Sequence, residues 1–287
     1  MLRTIFLLSA FLLNGIAFSQ PGVFIRFTSA NAMFPDTARA NGHDYSGKHY
    51  DALTHYNDSS VLIYVPKNFS PKGRPNLIFW FHGWSNNIDT AYRQYELVSQ
   101  FEASGRNAIL VFPEGPKDAP DSYGGKLEQP TVFQALTKDV VQQLENRKIL
   151  RRRRSFNIND YDITLAGHSG AYRVISRILN KTPVHEVILF DAMYGGNEYY
   201  LEWLSNPEHR FVNIYTKNGG TFDNSRQIAK LITDSLNVPV ISVDEPAVNA
   251  QLLQSNRKVF IFSEQTHNGV ITYHNNWALF LRNTPAR

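Results

Sequence analysis

The 287-residue chain is 43% hydrophobic and 19% charged, the balance of a globular protein rather than a disordered or fibrous one. It contains no cysteine, which excludes disulfides, thiolate catalysis, zinc–thiolate sites and a lipid-modified cysteine. The net charge is +4, and much of the basic character sits in Arg151 to Arg154, following Arg147 and Lys148. Such a run reads as a solvated helix end, where cations suit the helix C-terminus, and nothing else points to nucleic acid.

The first nineteen residues form their own unit. Met1-Leu2-Arg3 is a short basic start, Thr4 to Phe18 is mostly apolar, and Ala17-Phe18-Ser19 supplies small residues for cleavage before Gln20. This pattern predicts a secretory signal over residues 1–19 and a secreted or periplasmic mature chain, 20–287. The apolar run is too short to span a bilayer and contains Asn14, so no membrane span is expected.

From about Val23 onward, strand-like and helix-like segments alternate without a linker or repeat. Val23 to Phe27 and Ser60 to Val65 read as early strands, separated by a polar, irregular segment. Within it His43, Asp44, His49, Asp51 and His55 cluster, but their spacing matches no metal site. Leu77 to Phe81 is an uninterrupted apolar run, as a strand buried on both faces requires. Asp89 is placed to cap a helix through Phe101, closed by Gly105.

Next come a strand at Ala108 to Phe112, a long amphipathic helix over Thr131 to Leu150, and a strand from Asp162 to Ala166. A helix over Tyr172 to Leu179 follows. Strands at Val187 to Phe190, Phe211 to Tyr215 and Lys258 to Phe262 complete the set, with helices near Glu198 to Leu204 and Ser225 to Leu236. The alternation predicts an α/β fold with a mostly parallel central sheet flanked by helices on both faces. In such sheets ligands sit at the C-terminal strand ends.

The stretch Gly167-His168-Ser169-Gly170-Ala171 lies at one of those ends. Small residues let the backbone turn sharply and leave the Ser169 hydroxyl exposed at the corner, although Ala171 stands where a final glycine is usual. A base for that hydroxyl is expected in the loop after the last strand, and His267 lies there. His274 is a weaker choice, on the expected final helix. For the acid, Asp191 at a strand mouth is preferred over Asp223, which lies far along a glycine-containing loop, and over Glu264. An oxyanion hole is expected from the Gly170 N–H and the Trp84 N–H of Phe81-His82-Gly83-Trp84, with His82 structural.

Taken together, His82-Gly83-Trp84, Gly167-His168-Ser169-Gly170, Asp191 and His267 resemble an α/β-hydrolase. The likeness runs from about Ser60 to the C-terminus. The general pattern is that of secreted serine esterases of the esterase D, feruloyl esterase and polyhydroxybutyrate depolymerase type. The resemblance implies cofactor- and metal-free ester hydrolysis through an acyl-enzyme, with a small-molecule or polysaccharide-linked ester as substrate. A serine peptidase or amidase using the same triad, and a silent glycan-binding homologue, are the alternatives. The loop Pro113 to Pro130 is expected to form a wall of an open cleft without a large lid, with Trp84, Tyr123 and Tyr194 lining it.

Overall fold

The computed structural model describes residues 22–285; the expected leader lies outside the described residues. Nine strands form one sheet in the order β1-β4-β6-β5-β7-β8-β9-β11-β10. They are β1 (Val23–Thr28), β4 (Ser60–Val65), β5 (Asn76–Phe81), β6 (Ile109–Pro113), β7 (Asp162–His168), β8 (Val184–Phe190), β9 (Arg210–Thr216), β10 (Ile241–Asp244) and β11 (Lys258–Ser263). The strands from β6 across to β10 run parallel, while β4 is antiparallel to β6 and β1 to β4.

The stretch expected to be irregular instead holds a small hairpin, β2 (His43–Tyr45) with β3 (Lys48–Tyr50), and one helical turn, α1 (Ala52–His55). The expected helix starting at Asp89 is two helices. Asn87, not Asp89, caps α2 (Ile88–Gln94) by accepting the Thr90 N–H at 2.9 Å. Glu96 then turns left-handed (φ 51°) before α3 (Leu97–Ser104), which Gly105 closes. The long helix α4 (Val132–Asn146) stops four residues earlier than expected. Later helices are α5 (Tyr172–Leu179), α6 (Asn197–Leu204), α7 (Phe222–Leu236), α8 (Ala250–Ser255), α9 (Gly269–Thr272) and α10 (Asn276–Arg282).

The central strands are buried on both faces, so their side chains feed two cores. On one face Phe79 and Leu165 meet Phe133, Leu136 and Ile175 from α4 and α5. On the other, Ile78, Trp80 and Phe190 meet Phe101 of α3 and Trp277 and Phe280 of α10. Trp80 and Trp277 pack edge to face at 5.0 Å, and the Trp277 Nε1–H donates to Leu97 O at 3.1 Å.

Strand order also sets where a ligand can sit. The chain leaves β5 for β6 on one side, but leaves β7 for β8 on the other. The two diverging connections open a crevice above the C-terminal ends of β5 and β7. Trp277 locks the helical layer on the second face, so Trp277→Ala is expected to cost about 3–5 kcal/mol of stability, read as a lowered denaturant midpoint with an unchanged slope.

Candidate active site

Ser169 occupies the corner where β7 ends, with a left-handed backbone (φ 55°) that non-glycine residues rarely adopt. A short 3-10 turn, Ser169–Ala171, leads into α5. Gly167 is needed beneath this corner, because a Cβ there would stand 2.6 Å from Ala171 Cβ. The same contact explains why alanine is accepted at position 171: its methyl fills the space that the Gly167 hydrogen leaves.

The loop after β5 closes on this corner. A Cβ at Gly83 would stand 2.6 Å from Ser169 Cβ and 2.8 Å from His168 O, so only glycine lets the two loops touch. This approach brings Gly83 beside the Gly170 N–H and the Trp84 indole against Gly170. The Trp84 indole is exposed and donates from Nε1 to Ser122 Oγ at 2.7 Å.

His82 is buried and occupied. Its Nδ1 lies 2.8 Å from Gly83 O and its Nε2 2.8 Å from Glu114 Oε1. Burial alone would lower its pKa, but the bonds to Glu114 and Gly83 outweigh that and raise it. Glu114 also accepts the Ile88 N–H at the start of α2. His82 thus pins the loop carrying Trp84 to the strand end of β6.

His267 follows β11 and is half-buried. Its Nδ1 lies 2.6 Å from Asp191 Oδ2, so the Nδ1–H donates to the carboxylate. Asp191 directly follows β8, is fully buried and also has a left-handed backbone (φ 45°). It accepts the Thr216 N–H at 3.0 Å, the Thr216 hydroxyl at 2.7 Å and the Thr221 hydroxyl. Burial would raise the Asp191 pKa, but the His267, Thr221 and Thr216 bonds hold it below the usual carboxylate range. Ser169 and His267 line one cavity. No hydrogen bond joins their side chains among the described contacts.

The other candidates lie elsewhere. Asp223 sits exposed in the first turn of α7, Glu264 is exposed after β11, and His274 is an exposed turn residue stacked on Tyr273 rather than part of a helix. The early histidines are dispersed in local bonds. His49 pairs with Asp44 at 2.7 Å, His55 faces Lys117 O at 2.7 Å, and Asp51 caps Thr54. Among the described residues no group of three metal-ligating side chains forms.

The cavity measures about 570 Å³ and includes Trp84, Asn86, Tyr95, Ser122, Tyr172, Tyr194 and Asn268 besides Ser169 and His267. Tyr123 does not line it. Its ring lies against the Arg39 and Arg173 guanidinium groups, and its hydroxyl donates to Asp36 at 3.0 Å. Instead Tyr45, from the unforeseen hairpin, packs edge-on against Trp84 at 5.1 Å and extends the wall. Behind His267 lies His168, missed in the sequence because the variable position of a serine motif gives no signal of its own. Its Nε2–H donates to His267 O at 3.0 Å, its Nδ1 lies 3.3 Å from Tyr95 Oη, and the two imidazoles are 4.4 Å apart.

Comparison with solved structures places this architecture. A feruloyl esterase module from Clostridium thermocellum superposes with a TM-score of 0.53 and 13% identity, over 93% of this chain and 91% of that one. A ferulic acid esterase gives 0.55 and 10%, over 92% and 98%. The enterobactin and salmochelin hydrolase IroE gives 0.50 and 14%, over 92% and 96%. The fold is that of the α/β-hydrolases. No protein-family model and no curated protein matches the sequence. Identities this low make the likeness one of fold.

The two buried histidines respond to acid differently. Desolvation, with a smaller push from His267, lowers the His168 pKa from 6.5 to about 3. The unfolded chain therefore binds one more proton at this residue between those values, and stability falls as pH drops through that window. The expected slope is about 1.4 kcal/mol per pH unit from this group. Denaturant melts between pH 6.5 and 5 are expected to show that slope reduced in His168→Asn; equal slopes would remove His168 as its source.

Proposed function

We propose that the protein is a serine hydrolase that cleaves carboxylic esters through an acyl-enzyme, with Ser169, His267 and Asp191 as its triad. The observation that carries this reading is the His267–Asp191 bond, 2.6 Å long, at the wall of the cavity that Ser169 enters from its left-handed corner. The α/β-hydrolase fold, shared with esterases, supports it.

In this reading Ser169 Oγ attacks the ester carbonyl carbon while His267 Nε2 takes its proton. The carbonyl π electrons move to oxygen, and the Trp84 and Gly170 N–H groups stabilise that oxyanion. The intermediate collapses, the C–O bond to the alcohol breaks, and the alcohol leaves with the proton held on His267. Water then repeats the sequence on the acyl-enzyme, releasing the acid and restoring Ser169. Asp191 keeps the Nδ1 proton in place throughout and stabilises the transient imidazolium. No step calls on a cofactor or metal.

The cavity wall suits an ester bearing a flat ring. Trp84, Tyr172 and Tyr194 supply aromatic faces, and Asn86, Ser122 and Asn268 supply hydrogen-bonding edges. Aryl acids and sugar alcohols share that combination of stacking faces and polar rims. Export through the leader expected at residues 1–19 belongs to the same reading. Among the described residues no helix is long and apolar enough to cross a membrane.

Ser169→Ala is expected to abolish hydrolysis of short p-nitrophenyl esters and labelling by a fluorophosphonate probe, with an unchanged circular dichroism spectrum. Retained turnover would refute the nucleophile, and a wild-type chain that takes no label would favour a silent binding protein. Asp191→Asn is expected to keep the fold but lower kcat by roughly 10⁴-fold, because an amide favours the wrong imidazole tautomer. If Asp223→Asn gave the larger loss, the acid would be reassigned.

A further inference from the structure

The largest unbalanced concentration of charge lies at the opposite end of the sheet from the cleft. Helix α4 ends at Asn146, and Arg147, Lys148 and Arg151 to Arg154 follow, all exposed. The last carbonyls of α4 do not call on Arg151 to Arg154: Arg147 donates to Gln143 O at 3.4 Å, and backbone groups take the next two. Lys148 N–H donates to Glu145 O at 2.9 Å, and the Ile149 and Leu150 N–H groups donate to Leu144 O at 2.9 and 3.3 Å. Nor are the arginines consumed by carboxylates. Arg153 pairs with Asp160, and its N–H holds Glu145 Oε1 at 3.0 Å, which engages both acids bordering the loop. Asp139 on α4 is held by Ser29 and Asn31. Lys138, Arg151, Arg152 and Arg154 have no ion-pair partner among the described residues.

These side chains do not simply radiate into solvent. Lys138, Gln142 and Glu145 of α4 form one wall of a groove of about 530 Å³, and Arg152, Arg153 and Arg154 form the other. We propose that this groove binds an anionic polysaccharide chain, whose sulfate or uronate groups meet the cations while its hydroxyls meet Gln142 and Asn146. A bilayer surface fits less well. None of the large exposed apolar side chains of the described residues lies between 131 and 161, so nothing is available to insert. Nucleic acid is also disfavoured, because the groove offers a single aromatic, Phe156, half-buried and with one face already stacked on Tyr161 at 5.8 Å, where successive bases need several platforms. The groove lies by the start of β7 and Ser169 at its end, roughly 20 Å along the strand. A polymer held there leaves the cleft open.

The test uses the mature protein with heparin as probe. At low salt, binding is expected to weaken linearly in log Kd against log salt, with a slope of about 2 to 4, as three to four ion contacts require. Replacing Lys138, Arg152 and Arg154 together by Ser is expected to weaken it by roughly 100-fold at 50 mM salt, with the thermal midpoint unchanged. Replacing Lys48, Lys217 and Lys230 by Ser removes the same charge elsewhere and is expected to leave binding near wild type. An equal loss in that control, no binding at 50 mM salt, or tighter binding to phosphatidylglycerol vesicles or single-stranded DNA would each overturn the proposal. None of these readouts requires the protein to be an esterase, so the two readings stand or fall separately.

Discussion

A carboxylate closed off from water, Asp191, is the constraint around which the cleft is organised. Removing a charged group from water costs several kcal/mol unless hydrogen bonds replace its hydration. Asp191 receives them from three separate places: the end of β9 through Thr216, the start of α7 through Thr221, and the loop after β11 through His267. Each charge-assisted bond contributes on the order of 1.5–3 kcal/mol. The same bonds that keep the carboxylate ionised therefore fix the position of the imidazole. Losing one of them would move both.

Sheet register explains why Ser169 and Asp191 lie side by side. His168 on β7 pairs with Phe190 on the adjacent β8. The next residue on each strand is Ser169 and Asp191, so the chain leaves the sheet at the same height on both. Each leaves through a left-handed residue, φ 55° and φ 45°. Two such turns on neighbouring strands cost about 1–3 kcal/mol each, an outlay that the two buried cores beneath them offset. The strained ends set Ser169 at the cavity and Asp191 behind it, in contact with His267.

Strands buried on both faces were legible because continuous apolar runs such as Leu77 to Phe81 have few other uses. Segments with one wet face were not. The edge strand β10 alternates half-buried and exposed positions over four residues, too short a signal to separate from loop. The β2–β3 hairpin is almost wholly exposed, and its register depends on Gly47 and pairing rather than on hydrophobic pattern. The break between α2 and α3 turns on one left-handed glutamate, which periodicity does not encode. At the site, local motifs pointed to Ser169 and the loop carrying Gly83, since turns that tight leave a glycine signature. Choosing among Asp191, Asp223 and Glu264 required distances, because several strand-end loops carry an acid. Tyr45 and Tyr95 reach the cleft or its supports from segments with no motif at all.

Two buried histidines lie near the cleft, and their neighbours shift their pKa values in opposite directions. His82 has Glu114 and the Gly115 N–H at Nε2 and the Gly83 carbonyl at Nδ1, and the bonds to Glu114 and Gly83 raise its pKa despite burial. His168 faces a carbonyl and a tyrosine hydroxyl, with no anion in contact, and desolvation keeps it neutral. The difference matters because His168 stacks 4.4 Å from His267. A positive charge there would oppose any charge developing on His267, whereas a neutral ring steadies its backbone and leaves it able to accept a proton. His82 lies on the other side, where its bonds to Glu114 and Gly83 hold the Gly83–Trp84 loop against the end of β6. His267 thus sits between a neutral imidazole at its side and a buried carboxylate on its Nδ1.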